Sequence, residues 1–158
     1  MKKLKKLLLL LVMIPVCLTL TACGEKNVKG TLEELMTKVY ADIPEDERPM
    51  MLMNTEVNEE NVEYYLGTSD IEYKSALASE SGVGSIAHSV VLVRTKDNAD
   101  IEAIKDKIED NVDPRKWICV GVEEDDVIVE NKGNLIILIM VSDETTREKL
   151  ETSFENLK

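Results

Sequence analysis

His88 is the only histidine of the chain, and it stands among side chains that could join it in nucleophilic chemistry. Ser85 and Ser89 flank it, and Asp70 lies upstream. A serine becomes a nucleophile when a base within hydrogen-bond reach takes its proton and a third group orients that base. The residue types for such a relay are present, but Gly82-Val83-Gly84-Ser85 does not match a G-x-S-x-G nucleophile elbow. Strand alternation would also put His88 on one face with Ile86, Val90 and Leu92. A histidine in such company is more often a hydrogen-bonded group at a sheet edge or pocket rim. His88, Ser85, Ser89 and Asp70 are therefore weak catalytic candidates for hydrolysis.

Metal chemistry has two starting points. Met50, Met51 and Met53 offer thioethers, which suit Cu(I). Met51 and Met53 would share one strand face, with Met36 able to approach, but methionine also fills gaps in cores. Glu123-Glu124-Asp125-Asp126 is the densest acidic run. A calcium loop of the EF-hand kind needs alternating acids, a central glycine and a distant glutamate, so a solvated hairpin turn is expected instead. Gly82 and Gly84 with Ser81 and Ser85 could present N–H groups to an anion, yet a lone glycine-rich loop reads first as a turn. Cys119 has Arg115 and Lys116 nearby, but its apolar neighbours Ile118 and Val120 predict a buried, inert thiol. No metal and no cofactor are expected.

The second cysteine to consider is Cys23. Lys2, Lys3, Lys5 and Lys6 make a positive start, and Leu7 to Leu20 is an apolar run of 14 residues interrupted by Pro15. Such a run is too short for a comfortable bilayer span of about 20 residues. A charged start, a short apolar middle and the small Ala22 describe an export signal. Leu20-Thr21-Ala22-Cys23 resembles the lipobox of bacterial lipoproteins. That resemblance implies cleavage before Cys23 and attachment of a diacylglyceryl, palmitate-type anchor to its thiol. Each buried methylene contributes about 0.8 kcal/mol, and two or more chains hold stably where one does not. The expected plan is a lipoprotein signal peptide over 1–22, a lipidated tether over 23–30 and one domain over 31–158.

Composition narrows the partners. The signal takes four of the 19 basic residues and none of the 31 acidic ones, which leaves a net charge of −16. This argues against nucleic acid, which wants clustered Lys and Arg, and against the domain body lying on anionic lipid. Once Cys17 leaves with the signal and Cys23 is lipidated, only Cys119 remains, so no internal disulfide can form. The aromatic residues are too few for an extended stacking platform.

The elements that must position these groups follow from periodicity. Thr31 with Glu34 fits a capping box, and Leu32, Leu35, Met36 and Val39 recur at helical spacing up to the break at Pro44. Met50 to Thr55 reads as a short strand. Asn58 caps a short helix through Tyr65 that Gly67 stops, and Ile71 to Ser79 reads as a further helical turn or two. Ile86 to Thr95 is a strand. Asp97 to Asp100 turns into a helix to Val112 with Ile101, Ile104, Ile108 and Val112 as its inner stripe. Trp117 to Val122 and Val127 to Glu130 are expected extended. A turn over Asn131–Asn134 joins the latter to Leu135–Val141, the most apolar strand, suited to burial on both faces. Asp143 caps a last helix with Leu150, Phe154 and Leu157 inward. The fold class is α+β, a small mixed or antiparallel sheet covered by helices.

Four stretches carry a wider resemblance: Asn61-Val62-Glu63-Tyr64-Tyr65-Leu66-Gly67, Ser85-Ile86-Ala87-His88-Ser89, Asn111-Val112-Asp113-Pro114-Arg115-Lys116-Trp117 and Gly133-Asn134-Leu135-Ile136-Ile137. With these the chain resembles, over about residues 30–142, an uncharacterised family of bacterial lipoproteins labelled domain of unknown function 4358. The resemblance implies a small secreted or lipid-anchored protein, mostly of Gram-positive bacteria, and supplies no reaction, ligand or catalytic residue. The expected function is a non-enzymatic binding or accessory module, held to the outer face of the cell membrane by its lipid. Its partner would be an envelope protein or a small ligand. A cell-envelope hydrolase using His88 with a nearby serine is the second reading, and a structural accessory protein is the third.

Overall fold

The computed structural model describes residues 27–158, in which one antiparallel sheet carries helices on both faces. In chain order the elements are α1 (Leu32–Val39), β1 (Leu52–Val57), α2 (Val62–Leu66), β2 (Tyr73–Ser81), β3 (His88–Thr95), α3 (Ile101–Asn111), β4 (Ile128–Lys132), β5 (Leu135–Val141) and α4 (Glu144–Glu155). The strands lie in the order β1-β2-β3-β5-β4, and every neighbouring pair is antiparallel. The α+β expectation holds, and the sheet is antiparallel rather than mixed. The expected signal segment and Cys23 lie outside the described residues. Among the described residues no helix is long and apolar enough to cross a membrane.

β5 is buried at every position because α1 and α4 cover one face of the sheet while α2 and α3 cover the other. Its odd-numbered residues from Leu135 to Val141 join the first core with Leu35, Phe154 and Leu157. Ile136, Leu138 and Met140 join the second with Ile104, Ile108 and Trp117. Each fully buried Leu or Ile contributes about 1.5–3 kcal/mol, so β5 anchors both layers. The capping box of Thr31 and Glu34 is present, and Asp143 caps α4 through Thr146 N–H. The two-residue turn Gly133-Asn134 closes the β4–β5 hairpin, with Gly133 at positive φ.

Two expectations are corrected. Ile71 to Ser79 is not helical; Tyr73–Ser81 is strand β2, between β1 and β3. Its Lys, Ala and Leu residues favour helix weakly, and pairing on both edges overrides that preference. Trp117 to Val122 is not a strand but a loop. Its N–H groups bond out of register, Ile118 to Gly84 O at 2.8 Å and Val122 to Pro114 O at 2.8 Å. The positive φ of Cys119 reverses the chain there. The last residues of the stretch expected as a tether pack against the domain. Val28 is buried in the first core, and Arg94 of β3 donates to the Val28 carbonyl and to the Gly30 carbonyl at 3.0 Å.

Candidate functional site

His88 and Ser89 are consecutive on β3, and alternation sends them to opposite faces of the sheet. His88 faces the α1 and α4 layer, where its Nε2 lies 2.7 Å from Tyr40 Oη. Burial lowers its pKa to about 4, a shift that the charge of Glu80 partly offsets, so the ring is neutral near pH 7. Tyr40 is buried too, which pushes its hydroxyl well above the usual phenol range despite a hydrogen bond with Ser79. Ser89 faces the α2 and α3 layer. Ser85 is exposed in the β2–β3 loop. Asp70 lies beyond the other end of the sheet, paired at 2.7 Å with Lys107 Nζ, which holds its carboxyl below the usual range. The four catalytic candidates are thus not brought together.

What does assemble on the second face is a charge pair inside an aromatic enclosure. Lys116 Nζ lies 2.7 Å from Glu80 Oε2 and 3.3 Å from Ser89 Oγ. Its ammonium sits 4.3 Å from the ring centroid of Tyr64, 5.0 Å from that of Tyr65 and 5.2 Å from that of Trp117. Tyr64 Oη donates to Glu80 Oε1 at 2.6 Å. The side chains of Lys116 and Glu80 are only 5% and 12% exposed, which makes this a buried pair. Burial lowers the Lys116 pKa, and the Glu80 hydrogen bond and charge oppose that shift. Burial, then the Glu80 hydrogen bond and charge, push the Tyr64 hydroxyl well above the usual phenol range. Tyr64 therefore stays protonated and keeps donating.

Local sequence explains how these groups meet. Gly67 ends α2 at φ 75°, and a Cβ there would stand 2.2 Å from the Asn111 carbonyl group. Only glycine lets the end of α2 close onto the end of α3, and that contact places Tyr64 and Tyr65 over the sheet. Pro114 turns the chain after α3, Asp113 Oδ1 accepts from Arg115 N–H at 2.8 Å, and the Ile118–Gly84 bond pins the following loop. Lys116 is thereby directed inward and Ile118 outward. Glu80 and Ser89 are cross-strand partners on β2 and β3.

The charge pair lies beneath an open cleft of about 380 Å³. Met53, Tyr64 and Ile118 form its apolar rim, each more than 45% exposed. Met51 joins Met53 over Gly82, where a Cβ would touch both side chains. The expected approach of Met36 does not occur, because Met36 is buried in the first core, across the sheet. The indole N–H of Trp117 is buried with no acceptor among the described residues. Glu80 and Lys116 neutralise one another and the Tyr64 hydroxyl is committed, so the arrangement suits contact and hydrogen bonding rather than proton transfer.

The remaining candidates fall elsewhere. Cys119 is exposed, contrary to the buried thiol expected, because its left-handed backbone turns the side chain away from Trp117. Glu124–Asp126 forms a short 3₁₀ turn rather than a hairpin turn, with Glu123 paired to Arg115 and Asp126 to Arg147. Ser81 Oγ donates to Met50 O and accepts from Val83 N–H, which ties the glycine loop to β1. Carboxylate oxygens of Glu130, Glu151 and Glu155 lie within 4.8 Å of one another, on the surface beside β4. Sequence reasoning missed Glu80 altogether. Its cleft partners Tyr64, Tyr65, Ser89, Lys116 and Trp117 lie in three of the four stretches that carry the family resemblance, and convergence of those stretches was the available signal. The comparison with family models found no match, and the comparisons with curated proteins and solved structures found no significant match.

Proposed function

We propose that this chain is a lipid-anchored lipoprotein on the outer face of a bacterial cell membrane, acting there as a binding or accessory module rather than as an enzyme. The observation that carries the binding reading is the cleft: an apolar, exposed rim above a charge pair whose groups already satisfy one another. Such a surface offers contact area without a free base or nucleophile. The lipobox-like Leu20-Thr21-Ala22-Cys23 supports the anchor. The Arg94 clamp adds a geometric consequence. The clamped Val28 follows Cys23 by only five positions, so the clamped end of the sheet would sit within about 18 Å of the lipid at full extension. The cleft lies at the opposite end of β3, beside Ser89, and would face away from the membrane.

Two measurements test this. Cys23→Ala is expected to abolish lipid attachment and move the chain from the membrane to the soluble fraction; an unchanged membrane fraction removes the anchor. Proximity labelling in living cells, with the labelling group placed at Ile118, is expected to mark a defined envelope partner whose yield falls on Tyr64→Ala. Labelling that ignores Tyr64→Ala removes the cleft as the binding face.

A further inference from the structure

The two edges of the sheet are treated differently. β4 is half-buried along its length, with α3 packed against it. Among the described residues nothing pairs with the outer edge of β1, and Glu56 is its one charged side chain. Leu52-Met53-Asn54-Thr55-Glu56-Val57 contains no Lys and no Pro. Gly82 N–H donates to the Met51 carbonyl, which fixes which residues of β1 face β2. Alternation then turns the amide and carbonyl groups of Leu52 and Asn54 away from the sheet. The Glu56 carbonyl points the same way, and Asn61 Nδ2 takes it at 3.0 Å, which closes that end of the ladder.

The side chains along this edge are sorted. Exposed Met50, Met51 and Met53, with Tyr64 and Ile118 across the cleft that Met53 lines, make its start apolar. Exposed Glu56, Glu59 and Glu60 make its end acidic. The charge of −16 left beyond residue 22 disfavours a second copy of the chain and favours a basic partner.

We infer that the free edge of β1 accepts an extended segment of a partner protein by strand addition, with apolar side chains of that segment against Met51, Met53 and Ile118 and its basic side chains beside Glu56 and Glu59. Main-chain hydrogen bonds to Leu52 and Asn54 hold the segment, and the rim of the cleft selects its alternate side chains. This deepens the binding-module reading and rests on it.

The test uses the full chain in detergent micelles and a synthetic peptide of about eight residues, matched to the strand length. The peptide carries valine on the face of Met53 in one half and lysine on the opposite face, that of Glu56, in the other, with threonine elsewhere. On titration the NMR amide signals of Leu52 and Asn54 are expected to shift and to gain protection from solvent exchange. Asn54→Pro, whose missing N–H points away from β2 and so leaves the fold intact, is expected to bind at least tenfold more weakly. The same peptide methylated on alternate backbone nitrogens is expected to bind as weakly, which needs no variant of the protein. A peptide with glutamate in place of lysine is expected to bind several-fold more weakly. Absence of binding, equal binding by the methylated or the acidic peptide, or a concentration-dependent doubling of mass that protects the same amides overturns the inference; the last would make a second copy the occupant. If the peptide fails while labelling from Ile118 in cells still depends on Tyr64, β1 is not the docking edge but the binding reading stands. Failure of both removes that reading.

Discussion

His88 and Ser89 are adjacent in sequence and separated by the thickness of the sheet: Nε2 of His88 meets Tyr40 Oη at 2.7 Å on one face, and Ser89 Oγ meets Lys116 Nζ at 3.3 Å on the other. The relay suggested by their proximity in sequence is therefore split between a polar contact in the first core and a charge pair in the second.

The buried pair makes a sharp energetic prediction. Removing one partner strands the other charge away from water, which costs about 3–5 kcal/mol. Lys116→Ala is expected to lower unfolding stability by about that much. Glu80→Gln is expected to cost somewhat less, because the amide oxygen would still accept from Tyr64. The double variant Lys116→Met with Glu80→Leu is expected to recover most of the loss. Urea unfolding of the three variants checks this, and a double variant no more stable than Lys116→Ala would overturn it.

The His88 ring carries a pH dependence of definite sign. Its pKa falls from the ordinary 6.5 to about 4 in the folded chain. Between those values the unfolded chain binds the proton and the folded one does not, so stability rises with pH there. The contribution is complete above about pH 6.5 and is lost as pH falls toward 4, up to roughly 3 kcal/mol at about 1.4 kcal/mol per unit. The His88 ring signals should stay in their neutral positions from pH 8 to pH 5. The unfolding free energy should drop less over that interval in His88→Gln than in the parent.

Gly67 should be intolerant of any side chain. Gly67→Ala combines positive φ with a Cβ placed 2.2 Å from backbone atoms of Asn111. A loss of about 2–4 kcal/mol is expected. Because α2 must then move off α3, Trp117 fluorescence should change as well; an unchanged spectrum would show that α2 does not depend on this contact.

The Arg94 clamp predicts a protected N-terminal segment. Arg94→Ala leaves the Val28 and Gly30 carbonyls without their donor and is expected to cost about 1–3 kcal/mol. Limited proteolysis should then cut near Val28 faster than in the parent while α1 stays protected.

Cys119 should react in the native state. Its thiol is exposed, so a maleimide should label the folded chain at a rate within about tenfold of the unfolded one, and Cys119→Ser should change stability by no more than about 0.5 kcal/mol.

By itself the sequence determined the local elements whose signals are strong and short-ranged. The capping box at Thr31, the stripe of α3 through Ile104 and Ile108, the hairpin at Gly133 and the fully apolar β5 all stand where periodicity placed them. The proposal of lipidation at Cys23 rests on sequence alone, because that residue lies outside the described ones. Tertiary structure decided the rest. Tyr73–Ser81 is a strand because β1 and β3 pair with both its edges, which weak helical propensity cannot resist. Cys119 points outward because the loop after Trp117 is bonded to Gly84, far earlier in the chain. Tyr64 and Tyr65 stand over the Glu80–Lys116 pair because Gly67 lets α2 close on α3. Residue type and spacing report forces that act along a few neighbouring positions. A buried pair depends on which distant faces pack together, and only the folded chain settles that.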